Sequence, residues 1–242
     1  MAEMKIPIDL DNRISNAVDF FWTTRTGQKS KQDNSAVHDQ GNRGAVTGGK
    51  QLDGFVDLIS EILIMNGVPK TSIFTSSNLE LPGFYRPNKK WDLLVVDNNE
   101  LVIAIEFKSQ VGPSFGNNFN NRTEEAMGSA LDIWTAYREG VFGSQNAPWL
   151  GYFMVLEDCK KSTDPVNVRS PHFQVLDEFI DASYKDRYQI FCNKLLLERQ
   201  YSAACFMTTS KGENTNSYAC PNYKLSYIAF IRSMLGAVLT HF

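Results

Sequence analysis

The stretch Leu101-Val-Ile-Ala-Ile-Glu-Phe-Lys108 limits what this chain can fold into more than any other. Its β-branched and aromatic residues favour a strand, and so apolar a strand demands burial on both faces, as inside a sheet. Yet Glu106 and Lys108 interrupt it. Residues i and i+2 of a strand share a face. The acid and the base therefore project together, while Ile103, Ile105 and Phe107 point the other way into a core. Charges are seldom buried without a partner or a metal. Trp91-Asp-Leu-Leu-Val-Val96 reads as a neighbouring strand, and Asp97, Asn98, Asn99 and Glu100 as the turn that makes the two a hairpin. Asp92 then adds a third charge near Glu106.

Register decides whether the three charges meet. Asp92 lies opposite Glu106 only if the turn holds an odd number of residues, such as 97 to 101. A four-residue turn at 97 to 100 pairs Asp92 with Ile105 and splits the charges between two faces, unless a bulge corrects it. The expectation is therefore a five-residue turn or a bulge.

Hydrolysis of a phosphodiester needs an activated water, neutralisation of charge on phosphorus and stabilisation of the leaving 3′ oxygen. Carboxylates such as Asp92 and Glu106 are hard ligands suited to Mg²⁺, and a lysine beside them can orient the water and stabilise the transition state. Two close carboxylates repel each other unless a cation sits between them. The bland alternative keeps Asp92 as a strand-edge residue and Glu106 with Lys108 as a surface ion pair, since Glu-x-Lys alone occurs in countless proteins.

The rest of the chain frames this hairpin. Residues 9 to 24 carry Ile14, Ala17, Val18, Phe21 and Trp22 on one helical stripe, and a helix from about Leu52 to Asn66 buries Phe55, Leu58, Ile59, Ile62 and Leu63 before Gly67 ends it. Between them, Thr26 to Lys50 reads as a glycine-containing polar loop of about 25 residues, a length usually functional or disordered. A polar loop from Ser109 to Arg122 leads into a helix, with Asn121 and Glu124 at capping-box spacing and Gly140 as its stop. Trp149 to Leu156 reads as a central strand, 186 to 200 as a helix, Ala203 to Thr208 as a strand and Tyr223 to Leu239 as a closing helix. The order implies an α/β (α+β) fold, a mixed sheet flanked by helices, in one domain over 1–242.

Composition excludes other classes. No apolar run approaches the roughly 18 to 20 residues that span a bilayer, and Met-Ala-Glu-Met-Lys begins no secretory signal, so a cytoplasmic protein is expected. Cys159, Cys192, Cys205 and Cys220 form no Cys-x-x-Cys pair and read as free thiols. His38, His172 and His241 are scattered without an evident partner. A net charge of −3 argues against a protein that coats DNA, but local charge is what binds phosphate. Arg86, Lys89 and Lys90 cluster directly before Asp92.

Asp92, Glu106 and Lys108 together resemble the PD-(D/E)xK nuclease superfamily. The resemblance implies that Asp92 and Glu106 bind the metal while Lys108 assists the water. Trp91 stands where the motif has proline, the nearest proline being Pro87; many members also lack it. A closer likeness covers most of the chain. Glu106-Phe-Lys-Ser-Gln-Val-Gly-Pro-Ser-Phe-Gly116, Asn117-Asn-Phe-Asn-Asn-Arg-Thr-Glu-Glu125 and Leu131-Asp-Ile-Trp134 resemble the type II restriction endonucleases of the XhoI type. That implies Mg²⁺-dependent cleavage of double-stranded DNA at CTCGAG by a homodimer, leaving 5′ overhangs and 5′-phosphates. A cognate DNA methyltransferase would protect the host site.

Further candidates keep two readings each. Asn117, Asn118, Asn120, Asn121 and Arg122 can read base edges, because Asn bonds adenine and Arg guanine from the major groove; they also suit an ordinary polar connection. Glu61, on the helix before the hairpin, either reaches the metal or lies on a solvated face. Lys89, Lys90, Lys160, Lys161 and Arg169 either touch DNA or are solvated, and Gln110 can support Lys108. The rivals to a restriction enzyme are a non-specific repair or recombination nuclease with the same core, and a DNA-binding module whose acids are structural.

Overall fold

The computed structural model describes residues 3–34, 50–213 and 215–242, with side chains omitted for 28–34. The hairpin is formed by β4 (Leu93–Asp97) and β5 (Glu100–Gln110). Asn98 and Asn99 have φ of 47° and 63°, the left-handed pair that a two-residue hairpin turn requires and that asparagine tolerates. Asp97 pairs with Glu100 and Val96 with Leu101, whereas Val95 pairs with Ile103, Leu94 with Ala104 and Leu93 with Ile105. Val102 is thus an extra residue in β5. This bulge shifts the register by one, and one step beyond Leu93 it brings Asp92 level with Glu106. Of the two devices the sequence allowed, the chain uses the bulge.

The sheet runs in the order β1 (Ile73–Phe74), β4, β5, β6 (Trp149–Glu157), β7 (Ala203–Ser210), β8 (Ser217–Ala219). β5, β6 and β7 are parallel, and β1, β4 and β8 join antiparallel at the edges. A separate ribbon pairs β2 (Glu80–Pro82) with β3 (Asn88–Lys90). Both faces of the central strands are covered, as their apolarity demands. On one face α1 (Leu10–Asn34), α2 (Asp53–Met65) and α6 (Tyr227–His241) pack on Ile103, Ile105, Phe107, Phe153 and Cys205. On the other, α3 (Phe115–Arg138) and α5 (Tyr184–Leu197) pack on Ala104, Tyr152, Met154 and Phe206. A mixed sheet between helical layers is the α/β architecture expected. Among the described residues no helix is long and apolar enough to cross a membrane.

Several boundaries differ from the sequence reading, most of all those of α1 and α3. α1 extends to Asn34, beyond residue 24; the apolar stripe marks only the buried part, and Lys and Gln prolong the helix on propensity. The loop expected at Thr26 to Lys50 is thus partly helical, and its residues 35–49 lie outside those described. The polar loop at Ser109 to Arg122 ends early, because α3 starts at Phe115. Phe115 is buried and stacks on Tyr184, and Phe119 meets Tyr188 and Phe191. Tertiary burial there overrides the weak helix propensity of asparagine. The stops are as read: Gly67 (φ 94°) and Gly140 (φ 76°) follow α2 and α3 in the left-handed conformation. His241, without an evident partner in the sequence, lies 3.3 Å from Asp97 at the β4–β5 turn, because α6 runs back there. All four cysteines are free thiols.

Candidate active site

Glu106 is the deepest charge, with about 1% of its surface exposed. Its Oε1 accepts from Lys108 Nζ at 2.8 Å and Lys89 Nζ at 3.1 Å, and its Oε2 lies 3.1 Å from the Tyr201 hydroxyl. Tyr201 Oη is equally 3.1 Å from the Ala126 carbonyl of α3. Burial holds the tyrosine proton well above its ordinary range. Burial alone would raise the Glu106 carboxyl, but Lys108 and Lys89 outweigh it and hold the group below its usual value. Glu106 is therefore a carboxylate clamped from three sides.

Asp92 is in the opposite condition. Its Oδ2 accepts from the Phe107 N–H at 2.8 Å, and its own N–H donates to the Ile105 carbonyl at 3.2 Å. No hydrogen bond to its Oδ1 is found among the described residues. Burial pushes its carboxyl up, with Glu106 adding to the rise, despite Lys108, the Phe107 N–H and Lys89. Lys108 is only partly exposed; burial would lower its ammonium, but Glu106 and Asp92 reverse that and hold it above its ordinary value. It stays a cation.

Asp92 and Lys108 open into a cleft of about 360 Å³ lined also by Asp53, Lys90, Arg122, Gln51, Thr75 and Ser76. Asp53, in the first turn of α2, is exposed there; burial raises its carboxyl, and the charges of Asp57 and Asp92 add to this. Sequence reasoning offered Glu61 on the same helix, either as a metal residue or as part of a solvated face. Glu61 is exposed, paired with Arg13 at 2.8 Å, and lines a different groove with Asp9 and Asp57. Eight residues of helix, about 12 Å, separate it from Asp53. The signal that finds Asp53 is its place at the helix end nearest the hairpin; for Tyr201 the sequence holds none.

The remaining candidates divide. Lys90 lines the cleft, while Lys89 is turned inward onto Glu106, its Nζ 4.2 Å from the Trp91 ring centroid. Asn117, Asn120 and Asn121 are exposed on α3 at i, i+3, i+4 spacing, so they form one solvent-facing stripe, with Asn118 half-buried. Arg122 is on another flank and enters the cleft. Lys160 and Lys161 are exposed on the one-turn α4 (Lys160–Thr163), just past the end of β6 that adjoins Gln110; Lys161 shares a second cavity with Asn117. Arg169 is exposed in an irregular segment and Gln110 is buried against Val111.

The donor set fits a hard divalent cation. Asp92 is a half-buried carboxylate with an oxygen to spare and a raised carboxyl that an adjacent cation would relieve, Glu106 is ionised beside it, and Asp53 lines the same cleft as Asp92. Among the described residues, no three His, Cys, Asp or Glu groups are already gathered at ligand spacing.

Comparison with known proteins agrees with this geometry. Residues 31–220 match the family described as restriction endonuclease XhoI. The chain is 51% identical over 208 residues to the type II restriction enzyme BstVI of Geobacillus stearothermophilus, covering 84% of this chain and 93% of that one. It is 48% identical to the type II restriction enzyme XhoI of Xanthomonas vasicola, covering 74% of this chain and 72% of that one. Identity to the type II restriction enzyme AbrI of Azospirillum brasilense is 47%, covering 69% and 75%. No solved structure matches the chain at a significant level.

Proposed function

The chain belongs to the XhoI family of type II restriction enzymes, and from that premise we propose that it hydrolyses duplex DNA at the palindrome CTCGAG with Mg²⁺. Residues 1–242 act as one cytoplasmic endonuclease domain, a cognate methyltransferase protects the host site, and the products carry 5′ overhangs and 5′-phosphates. The observation that supports this most is the Val102 bulge, which gathers Asp92, Glu106 and Lys108 on one side of the sheet, with Asp92 and Lys108 lining an open cleft and Glu106 buried behind them.

Asp92 and Glu106 would hold Mg²⁺, with Asp53 as the further carboxylate; the ion supplies charge neutralisation on the phosphate and an acidified water. The residues do the positioning. The Phe107 N–H fixes the Asp92 carboxylate, while Tyr201 and Lys89 fix Glu106. Lys108 remains protonated, so it orients the attacking water and stabilises charge at phosphorus without removing a proton. The Asn117, Asn120 and Asn121 stripe, with Lys90, Lys160, Lys161 and Arg169, is the surface offered to DNA.

A plasmid digest with Mg²⁺ and sequencing of the ends tests the reading. Discrete bands ending at one palindrome support it. A smear of many cut sites indicates a non-specific nuclease, and binding without cutting a DNA-binding module; either outcome overturns it. A palindrome pairs naturally with a two-fold dimer, so sedimentation should show a homodimer, and a monomer that makes both cuts in one binding event would contradict this.

Lys108→Ala separates chemistry from binding. Glu106 keeps Lys89 as a counter-charge, so the variant should fold and bind cognate duplex in Ca²⁺ within a few-fold of the parent. Its single-turnover rate in Mg²⁺ should fall about 100- to 1000-fold, the cost of one preorganised donor. Lost binding with an unchanged rate would make Lys108 a DNA contact.

A further inference from the structure

The sequence offered Arg122 as a reader of guanine, among the asparagines of the same stretch. Its surroundings in the fold are those of the reaction centre. At 3.6 residues per turn, Arg122 lies on the α3 flank of Asn118 and Glu125, turned away from the exposed Asn117, Asn120 and Asn121 stripe. It lines the cleft together with Asp92 and Lys108, near enough for its charge to act against the Lys108 ammonium. We propose that Arg122 is a catalytic residue that grips a non-bridging oxygen of the scissile phosphate, and not a base reader. The proposal rests on the nuclease reading given above.

Three observations carry it. Arg122 is tethered: its Nη1 donates to Glu125 Oε2 at 2.6 Å, one helical turn along, with the Arg122 side chain only 30% exposed. A base reader must extend outward to a groove edge, whereas this side chain is held against the protein. Donors of the guanidinium remain for a ligand. Its Nε is buried without a hydrogen-bond partner, one of three such side-chain atoms found among the described residues. The others are the Tyr152 and Tyr188 hydroxyls, both within the influence of the Arg122 charge. A buried unpaired donor is costly and calls for an explanation. Finally, Lys90, Lys108 and Arg122 bring three cations to the cleft beside Asp53 and Asp92, and the Arg122 charge acts against the Lys108 ammonium, a repulsion that a bound phosphate would relieve. A phosphate that reaches Lys108 enters the cleft that Arg122 also lines, and a guanidinium is suited to phosphate oxygens by its charge and planar donors.

During hydrolysis the water oxygen bonds to phosphorus while the bond to the 3′ oxygen breaks. The water's proton passes to solvent and the leaving oxygen takes one up. Arg122 keeps its protons throughout and offsets negative charge on the equatorial oxygens. Glu125 is a positioning residue that holds its angle.

The test uses Arg122→Ala and Arg122→Lys on duplexes carrying the site mapped from the wild-type cut ends, and on duplexes with each base pair of that site changed singly. For Arg122→Ala the single-turnover rate should fall about 100- to 1000-fold, with the ratio of cognate to altered-site rates kept within about 3-fold. Arg122→Lys, which retains the charge without the fork, should recover part of the rate. Melting curves matching the parent would exclude a merely structural effect. A rate within a few-fold of wild type, discrimination lost at one base pair, or Lys no better than Ala would each overturn the proposal. If the wild-type protein itself fails to cut in Mg²⁺, the nuclease reading falls first, so the two failures are distinguishable.

Discussion

Asp92→Asn should abolish Mg²⁺-dependent cleavage and, in the absence of divalent ions, raise the melting temperature. The two effects have one cause. Asp92 is a mostly buried carboxylate whose desolvation outweighs the pull of Lys108 and the Phe107 N–H, so its carboxyl is raised above the ordinary value of 3.8. Its folded form binds a proton more readily than its unfolded form. The stability contribution from that proton is present below the ordinary value and is lost as pH rises through the folded one. At neutral pH the charged side chain therefore weighs against folding. Asparagine removes the charge and still accepts the Phe107 N–H. About 1 kcal/mol of relief moves the midpoint of a domain this size by about 2–4 °C, and the gap between variant and parent should close as pH falls toward the range where Asp92 takes up its proton. Cleavage should drop at least about 1000-fold, because several kcal/mol of metal-borne stabilisation go with the ligand. Ca²⁺ should raise the midpoint of the parent and leave the variant unmoved. A variant that melts below the parent at pH 7, or cuts at the parental rate, would refute the assignment.

That site was partly legible in the chain. The stretch 101–108 announced a doubly buried strand, and its two charges read either as part of a site or as a surface ion pair. The condition that a five-residue turn or a bulge must restore the register follows from the two-residue period of strands, and Val102 meets it. Helices with a clean stripe, such as α2, were legible for the same reason. What periodicity cannot show is an element whose burial comes from elsewhere. The first turns of α3 are rich in asparagine and helical because Phe115 and Phe119 pack on α5. The ribbon of β2 and β3 is too short to carry a pattern, yet it delivers Lys89 to Glu106. Lys89, read in sequence as either a DNA contact or a solvated residue, is part of a buried ion cluster. Tyr201 approaches Glu106 from 95 residues away, a contact that only the β5–β6–β7 stacking creates.

Glu106→Ala should cost both cleavage and much of the fold's stability, in contrast to Asp92→Asn. Glu106 is held as a carboxylate below the ordinary value of 4.5 because Lys108 and Lys89 outweigh the burial that would raise it. Its contribution is present above that ordinary value and is lost as pH falls through the folded one. Alanine leaves Lys89 and Lys108, 13% and 21% exposed, without the carboxylate that joined them. Removing one partner of a buried pair costs about 3–5 kcal/mol, since the remaining charge is left uncompensated. Two lysines remain here, and Asp92, whose charge acts on both, offsets them only in part. The deficit should shrink at alkaline pH, because burial already lowers the Lys89 ammonium and loss of Glu106 removes what opposes that. Lys89→Met added to Glu106→Ala should recover part of the midpoint, as Lys89 and Glu106 are in contact and their effects do not add. Cleavage should stay absent in the double variant, separating the folding role of the cluster from its chemistry. Urea titrations at pH 7 and at alkaline pH, run beside single-turnover digests, measure both. Glu106→Ala as stable as the parent at pH 7 would mean that the two lysines are solvated and that Glu106 is not the buried centre of the site.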